Sequence, residues 1–254
     1  MKNHPVVIKM MKKRALRCSL AVKEFDVELG VLRCARHRNI VRFYGSGNDP
    51  RRFIVMEYLN EGTLSEALRQ DTIGKRLSLI VALQRALDLS DVLHYLHGLC
   101  TENISIIHRD LKADNIGFRD GCLKLFDFGL SACVVRGNEL DEVYQMTGFT
   151  GTLRYMAPEV ALSHRYNEKV DVYSFGILLW QMLTGLTPFK SVQKQDFLSE
   201  VVKGGMRPII DSIWPLELSC LIESCWSPCY KSRPSFEMIN NTLSEILQNI
   251  DENR

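Results

Sequence analysis

The 254-residue sequence lacks the features that mark several classes of protein. None of its eight cysteines belongs to a C-x-x-C pair, and a chain of this length does not need a disulfide framework to form a core. The formal charge of +2 is nearly balanced, so neither a nucleic-acid nor a membrane-surface partner is indicated. The most apolar stretch, residues 170–183, contains Asp171 and is too short to span a bilayer. These absences predict reduced thiols and a location in the cytoplasm, with the nucleus as an alternative.

The sequence changes from strand patterns to helix patterns near residue 60. Short apolar runs before that point predict three strands, at residues 5–8, 40–44 and 53–58. Apolar residues recur at helical spacing over 22–32, and the glycine-containing segment 45–50 has the composition of a hairpin turn. After residue 62 the spacing indicates helices, beginning with a long amphipathic helix over 79–96.

This order predicts an α+β fold with two lobes, a small strand-rich N-terminal lobe and a larger, mainly helical C-terminal lobe. The predicted boundaries are residues 1–59 for the small lobe, 60–246 for the large lobe and 247–254 for a tail.

Three short sequence motifs in the middle of the chain contain candidate catalytic residues. The first is His108-Arg-Asp-Leu-Lys-Ala-Asp-Asn115, and Asp127-Phe-Gly129 begins twelve residues after it. Ala157-Pro-Glu159 begins 30 residues after Asp127. In this order and spacing the strings resemble the catalytic segments of eukaryotic protein kinases, and the resemblance runs from about residue 6 to about residue 246. It implies a two-lobed kinase fold that transfers the γ-phosphate of ATP to protein substrates in signalling.

The resemblance also implies roles for individual residues. Asp110 would accept the proton of the substrate hydroxyl or orient that hydroxyl, and Lys112 would meet the transferring phosphate. Asn115 and Asp127 supply hard oxygen ligands of the kind that Mg²⁺ prefers. Phosphoryl transfer needs this placement because it depends on positioning and on neutralising phosphate charge.

The small lobe would supply the nucleotide contacts. Lys9 follows three apolar strand formers and resembles the lysine that holds the α- and β-phosphates. Its glutamate partner is Glu28 by spacing, with Glu24, one helical turn earlier, as the rival. The run Phe53–Leu59 resembles the last strand and the hinge of the lobe. There Met56 would face the back of the pocket, and the backbones of Glu57 and Leu59 would bind the adenine.

Other residues bear on substrate and control. Lys112 and Thr152 match the Ser/Thr pattern, in which Thr152 would hydrogen-bond Asp110 and Lys112. The segment 171–176 looks more like a tyrosine kinase, so the chain resembles the tyrosine-kinase-like group of Ser/Thr kinases, with dual specificity left open. Arg109 would pair with a phosphate on Thr147 or Thr150 in the activation segment. Lesser candidates for that phosphate are Tyr144 and Ser131. Glu159 and Arg233 resemble the family's buried ion pair, and Asp171 would accept backbone N–H bonds from the catalytic loop.

A glycine-rich phosphate loop is missing ahead of Lys9. Only eight residues precede this lysine, none of them glycine, whereas two strands and a turn take about 20 residues. Two explanations stay open. Either the sequence is a piece of a kinase that starts inside the small lobe, or it is a catalytically weak, pseudokinase-like scaffold or interaction module. The intact catalytic residues favour the first explanation.

Overall fold

The computed structural model describes residues 5–70, 77–101, 103–137 and 142–252. Seven strands occur within these ranges: β1 (Val6–Met10), β2 (Phe43–Gly47), β3 (Phe53–Glu57), β4 (Ile104–Ile107), β5 (Ile116–Arg119), β6 (Cys122–Leu125) and β7 (Ala132–Val135). Seven α-helices occur there as well: α1 (Ser19–Cys34), α2 (Leu64–Gln70), α3 (Leu79–His94), α4 (Pro158–Ala161), α5 (Lys169–Thr184), α6 (Leu216–Cys225) and α7 (Phe236–Glu252). The predicted α+β fold is confirmed.

The N-terminal lobe is built on an antiparallel sheet in the order β1-β3-β2. In the register of this sheet Lys9 on β1 lies opposite the fully buried Ile54 on β3. Strand β1 forms one edge of the described sheet, and its apolar side chains Val6 and Ile8 are about half exposed. The sheet therefore presents the lysine from a strand whose position is set by the buried middle strand.

Two predicted boundaries in this lobe were wrong. The predicted strand over 40–44 begins only at Phe43, because Ile40 instead forms an isolated bridge with Leu125 of the C-terminal lobe. The predicted turn over 45–50 is also displaced, since Gly45–Gly47 belong to β2, where a register irregularity accommodates the glycines.

Helix α1 packs beside the sheet and is longer than the predicted 22–32. Its buried residues are Phe25, Glu28, Val31 and Leu32, which share one face through spacings of three and four. A glutamate therefore stands on an otherwise apolar face. A charged group in that position requires a partner, and Lys9 supplies it.

The C-terminal lobe is organised around α5. All of its residues from Val170 to Leu183 are buried, which accounts for the apolar stretch noted in the sequence. Helices α3 and α6 pack against it, and α7 contacts it through the ring pair Phe175–Phe236. Trp180, Cys225 and Trp226 lie in the core. Within the described ranges no helix is both long and apolar enough to cross a bilayer.

The middle of the chain contains two short antiparallel strand pairs. The strands of the antiparallel pairs β4–β7 and β5–β6 flank the two segments that contain the motifs His108–Asn115 and Asp127–Gly129. Helix α7 continues to Glu252, past the predicted boundary at residue 246, and its residues Leu247 and Ile250 pack against the core. Residues 253–254 of the predicted tail lie outside the described residues.

Candidate active site

A cavity of about 550 Å³ opens between the small sheet and the C-terminal lobe. Its volume is within the usual range for small-molecule sites. Both lobes contribute to it, since its wall includes Lys9 and Met56 from the sheet, Glu28 from α1 and Asp127 from the segment after β6. A neighbouring cavity of about 360 Å³ continues from Lys9 to Asp110 and is also lined by Glu24.

Lys9 joins the two lobes at this cavity. Its ammonium donates to both carboxylate oxygens of Glu28, at 2.8 and 2.7 Å, and to Oδ1 of Asp127 at 3.0 Å. Burial acts to lower the pKa of Lys9, but the two carboxylates outweigh burial and raise it. Burial acts to raise the pKa of Asp127, and the Lys9 charge reverses this and lowers it. The glutamate that pairs with Lys9 is therefore Glu28, as predicted, whereas the alternative, Glu24, only lines the adjoining cavity.

The predicted catalytic-loop residues form one hydrogen-bonded network. Lys112 donates to Asp110 Oδ2 at 2.6 Å and to the Thr152 hydroxyl at 3.0 Å. Thr152 in turn donates to Asp110 Oδ1 at 2.8 Å, so the predicted contact of Thr152 with both residues is present. Asn115 donates through Nδ2 to the backbone oxygen of Asp110 at 2.9 Å and to its Oδ2 at 3.1 Å. Thr152 thereby links the activation segment to the catalytic loop.

The backbone around Asp110 is held in a sparsely populated conformation. Arg109 has a φ of 66° and Asp127 a φ of 65°, in the left-handed region that few side-chain-bearing residues adopt. Gly151 has a φ of 98°, and a Cβ there would lie 2.4 Å from the carbonyl oxygen of Arg109. The activation segment can approach the catalytic loop this closely only with glycine at position 151.

Asp171, at the start of α5, hydrogen-bonds to the backbone of the catalytic loop. Its fully buried carboxylate accepts the backbone N–H groups of His108 and Arg109 at 2.8 and 2.9 Å. His97 Nε2 lies 2.8 Å from the same carboxylate. Burial acts to raise the pKa of Asp171, but the hydrogen bond with His97 and the neighbouring donors lower it. Sequence reasoning predicted the Asp171 contacts but missed His97, for which no motif gave a signal.

The predicted hinge residues line the cavity between the lobes. Met56 and Leu59 both lie on its wall. The Glu57 side chain points instead to Lys124 and Arg119, at 3.2 and 3.3 Å, and accepts the backbone N–H of Arg42. Within the described residues the N–H of Leu59 has no backbone hydrogen-bond partner.

The oxygen donors at the cavity suit a hard divalent cation. Asp127 uses one carboxylate oxygen for Lys9, and Asn115 uses its amide nitrogen for Asp110, which leaves Asp127 Oδ2 and the Asn115 amide oxygen. Mg²⁺ is bound in such sites by one or two protein oxygens together with phosphates and water. In keeping with this sparse protein contribution, the described residues contain no group of three His, Cys, Asp or Glu suited to a metal.

The predicted regulatory residues differ in their surroundings. Arg109 donates to the Thr147 hydroxyl at 2.9 Å and to Leu130 O at 2.6 Å. Thr150 lies beside Thr147, with its hydroxyl 3.2 Å from the Thr147 oxygens, and has no contact with Arg109. Ser131 is buried, which argues against it as a modification site. Of the predicted hydroxyl groups in the described part of the chain, that of Thr147 is the one that accepts a hydrogen bond from Arg109.

Glu159 and Arg233 form the ion pair that the sequence predicted. Two parallel bonds of 2.6 and 3.0 Å join the guanidinium and the carboxylate. Arg233 also donates to the carbonyl oxygens of Ser227 and Lys169, so its buried charge is fully surrounded by acceptors. This pair fixes the end of the activation segment to the core of the C-terminal lobe.

Comparison with known proteins agrees with this geometry. A family model described as protein tyrosine and serine/threonine kinase matches residues 1–243. The chain belongs to the protein kinase family. Kinase relatives include the serine/threonine-protein kinase VIK of Arabidopsis thaliana, 36% identical over 97% of this chain and 56% of the relative. The dual specificity protein kinase shkE of Dictyostelium discoideum is 32% identical over 95% of this chain and 33% of the relative.

A third kinase relative, the serine/threonine-protein kinase STY17 of Arabidopsis thaliana, is 33% identical over 97% of this chain and 41% of its own length. The chain therefore spans between a third and a little over half of the length of these kinases. The match covers nearly all of this chain but at most 56% of the length of these three relatives.

Proposed function

We propose that the chain is a protein Ser/Thr kinase domain that transfers the γ-phosphate of ATP to a protein hydroxyl with the help of Mg²⁺. The observation that carries the proposal is the continuous arrangement from Glu28 through Lys9 and Asp127 at the cavity to the Asp110–Lys112–Thr152 network beside it. The names of the relatives support it, because they include Ser/Thr and dual-specificity kinases. The alternative of a non-catalytic interaction module is not favoured.

Each residue has a task that follows from its contacts. Lys9, positively charged and held by Glu28, would bind the phosphates that enter the cavity beside it. The free oxygens of Asp127 and Asn115 would hold Mg²⁺, which neutralises the charge on the phosphates when bound. Asp110 would accept the hydrogen bond of the substrate hydroxyl, and Lys112 would face the phosphoryl group during transfer.

The preference for Ser and Thr hydroxyls follows from Thr152. This residue donates to Asp110 and accepts from Lys112, so it seats the two catalytic side chains at a fixed distance from the activation segment. A short Ser or Thr side chain reaches Asp110 when the substrate backbone lies close to this segment. The free thiols of all eight cysteines support a cytoplasmic or nuclear location as part of the same proposal.

The test is transfer of labelled phosphate from ATP–Mg²⁺ to three peptides that differ only in a Ser, Thr or Tyr acceptor. We expect the Ser and Thr peptides to be labelled, and the Asp110→Asn variant to lose about 10²- to 10⁴-fold in rate. The conservative variant Asp251→Asn, on the exposed end of α7, serves as the matched control. Labelling of the Tyr peptide alone, or equal labelling by Asp110→Asn, would contradict the proposal.

A further inference from the structure

Another cavity, of about 470 Å³, is formed by the residues that follow α1, the start of β2 and one side chain of β6. Four cationic side chains and a histidine line this basic cavity, and no carboxylate does: Arg36, His37, Arg38, Arg42 and Lys124. The histidine adds little charge at neutral pH, because burial lowers its pKa. The rest of the wall is apolar and consists of Ala35, Ile40, Val41 and Phe43. None of the four cations lines the candidate active site.

The guanidinium of Arg36 is already positioned at the basic cavity. Its Nη1 donates to the carbonyl oxygens of Leu32 and Ala35 at the C-terminal end of α1, both at 2.8 Å. Its Nε and Nη2 make no hydrogen bond with the residues that the structure describes, and no described carboxylate forms an ion pair with it. Arg36 therefore brings a fixed guanidinium with free donors and a charge that no acidic side chain balances.

Arg42, directly before β2, carries a second unbalanced charge. Its guanidinium lies over the Tyr44 ring, 5.5 Å from the centroid, and within the described part of the chain it makes neither a hydrogen bond nor an ion pair. Its backbone, by contrast, is fixed on both sides by Glu57. The N–H of Arg42 donates to Glu57 Oε1 at 2.7 Å, and its carbonyl oxygen accepts the N–H of Glu57 at 2.9 Å. A guanidinium on a rigid backbone thus keeps its donors for a ligand.

The other two cations are partly balanced by carboxylates that lie outside the cavity wall. Lys124 Nζ is 3.2 Å from Glu57 and donates to the carbonyl oxygen of Arg38 at 2.7 Å. The Arg38 guanidinium lies 3.8 and 3.7 Å from Asp88 and Asp91. Two of these three carboxylates also contact a further arginine each. Positive charge therefore remains in excess at the cavity.

We propose that the basic cavity binds the phosphoryl group of a phosphorylated serine or threonine on a partner polypeptide. Such a group carries about two negative charges and three acceptor oxygens, which the free donors of two guanidinium groups match. The apolar part of the wall would accept an apolar neighbouring residue of the same polypeptide. A polynucleotide fits less well, because its backbone calls for a row of cations, whereas these are gathered at one cavity of a chain with a formal charge of +2.

The bound phosphoryl group would connect the two lobes. Arg36 directly follows α1, the helix that carries Glu28, and Lys124 lies on β6, shortly before Asp127. A ligand that binds only the folded chain raises its melting temperature, so occupancy of the cavity can be measured without any assay of phosphotransfer. The proposal does not depend on the proposed function.

The experiment measures binding of the whole chain to two fluorescein-labelled peptide libraries that differ only in a central phosphoserine or serine, with mixed residues on either side. We expect the phosphoserine library alone to raise the fluorescence polarisation, and added salt to weaken its binding. Arg36→Gln and Arg42→Gln should each weaken binding by about tenfold or more, the effect of losing a charge-assisted hydrogen bond. Arg165→Gln, which removes an exposed positive charge between α4 and α5, is the matched control and should bind like the parent.

Melting temperatures without peptide verify that the variants are folded. Arg42→Gln should melt within about 3 °C of the parent, because its guanidinium makes only the ring contact with Tyr44 among the described residues. Equal binding of the two libraries, or equal affinity of Arg42→Gln and Arg165→Gln, would overturn the proposal. So would inorganic phosphate that binds as tightly as the phosphoserine library, or a single-stranded oligonucleotide that binds more tightly at the same salt concentration. These readouts stay decisive even if the chain phosphorylates nothing.

Discussion

The charge interactions in the cavity between the lobes centre on Lys9. It faces two carboxylates within 3.0 Å, one from α1 and one from the segment after β6. When phosphates enter, they would share this ammonium with Asp127 and Glu28. The cavity is therefore organised around a cation that is already positioned, so that binding does not require ordering a free lysine side chain.

Replacing Lys9 with methionine keeps the length of the side chain and removes its charge. We expect kcat/KM for the proposed phosphotransfer to fall by about 10²- to 10³-fold, the range found when a preorganised donor is removed. Labelled-phosphate kinetics with ATP–Mg²⁺ measures this fall. Lys12→Met, on the exposed segment after β1, is the control and should retain the parent rate. A Lys9→Met variant that equals this control would show that Lys9 does not act on the phosphates.

His108 makes stability depend on pH. Its ring is fully buried 5.2 Å from the Phe128 ring, and burial outweighs the nearby carboxylates to lower its pKa from 6.5. Below pH 6.5 the unfolded chain takes up a proton that the folded protein resists. The contribution of His108 to the free energy of unfolding is therefore present above pH 6.5 and declines as the pH falls towards the folded-state pKa.

We expect the free energy of unfolding to fall between pH 7.5 and 5.5, by at most about 1.4 kcal/mol per pH unit from this residue. Urea unfolding at several pH values measures the slope. The apolar ring of His108→Phe should reduce it, leaving the part due to His37, whose pKa is also lowered by burial. His164→Gln, at an exposed position, should keep the full slope. An unchanged slope in His108→Phe would refute the assignment.

Single residues were predictable where a spaced motif identified them. The pairing of Lys9 with Glu28 and the contacts of Thr152 follow the spacing in the sequence. The contact of His97 with Asp171 was not predicted, because it joins residues 74 positions apart without any motif. This contact is decided by how the segment after α3 packs against α5, which residue spacing alone does not determine.

At the scale of elements, the N-terminal end of α5 acts as the support of the catalytic loop. Asp171 accepts two backbone N–H groups of that loop and contacts His97 on the segment that extends α3. A carboxylate has enough acceptor sites for all three contacts, whereas a side-chain amide has only one oxygen. These hydrogen bonds from α5 support the left-handed backbone conformation of Arg109.

Asp171→Asn should destabilise the protein by about 2–4 kcal/mol, because its amide nitrogen would face backbone donors in a buried position. The same variant should lower the rate of the proposed phosphotransfer, since Asp110 directly follows Arg109. Urea unfolding together with steady-state kinetics measures both effects. Glu245→Gln on the exposed face of α7 is the control for removing a helical carboxylate. A fully stable Asp171→Asn protein would show that the loop holds its conformation alone.

The types of the secondary-structure elements were predicted better than their boundaries. The helical spacing over 22–32 identified α1 but not its full length, because the residues at its two ends, Ser19 and Leu20 and then Arg33 and Cys34, are exposed and lie outside the apolar pattern. The segment 45–50 was assigned to a turn on its glycines, although pairing with β3 keeps Gly45–Gly47 in a strand. Tertiary pairing overrides the local preference there, as it commonly does for strands.

At the scale of the whole molecule, Glu159 and Arg233 connect parts of the chain that are 74 residues apart. The guanidinium is buried, with 0% side-chain exposure, and the carboxylate is 11% exposed. Such a pair adds little stability over an apolar replacement of similar volume, whereas losing one partner leaves a buried charge unpaired. Its contribution is to fix one arrangement of the activation segment against the C-terminal lobe.

A double-mutant cycle separates these two effects. Arg233→Met and Glu159→Gln should each reduce the free energy of unfolding by about 3–5 kcal/mol, because each strands the opposite partner. The double variant should lose at least about 1 kcal/mol less than the sum of the two, since no charge is then left unpaired. Urea unfolding of the four proteins gives the coupling energy. Asp26→Asn, which breaks the more exposed pair with Arg52, should cost under about 1 kcal/mol as the surface control. Additive losses in the cycle would mean that the carbonyl oxygens of Ser227 and Lys169, and not Glu159, hold Arg233 in place.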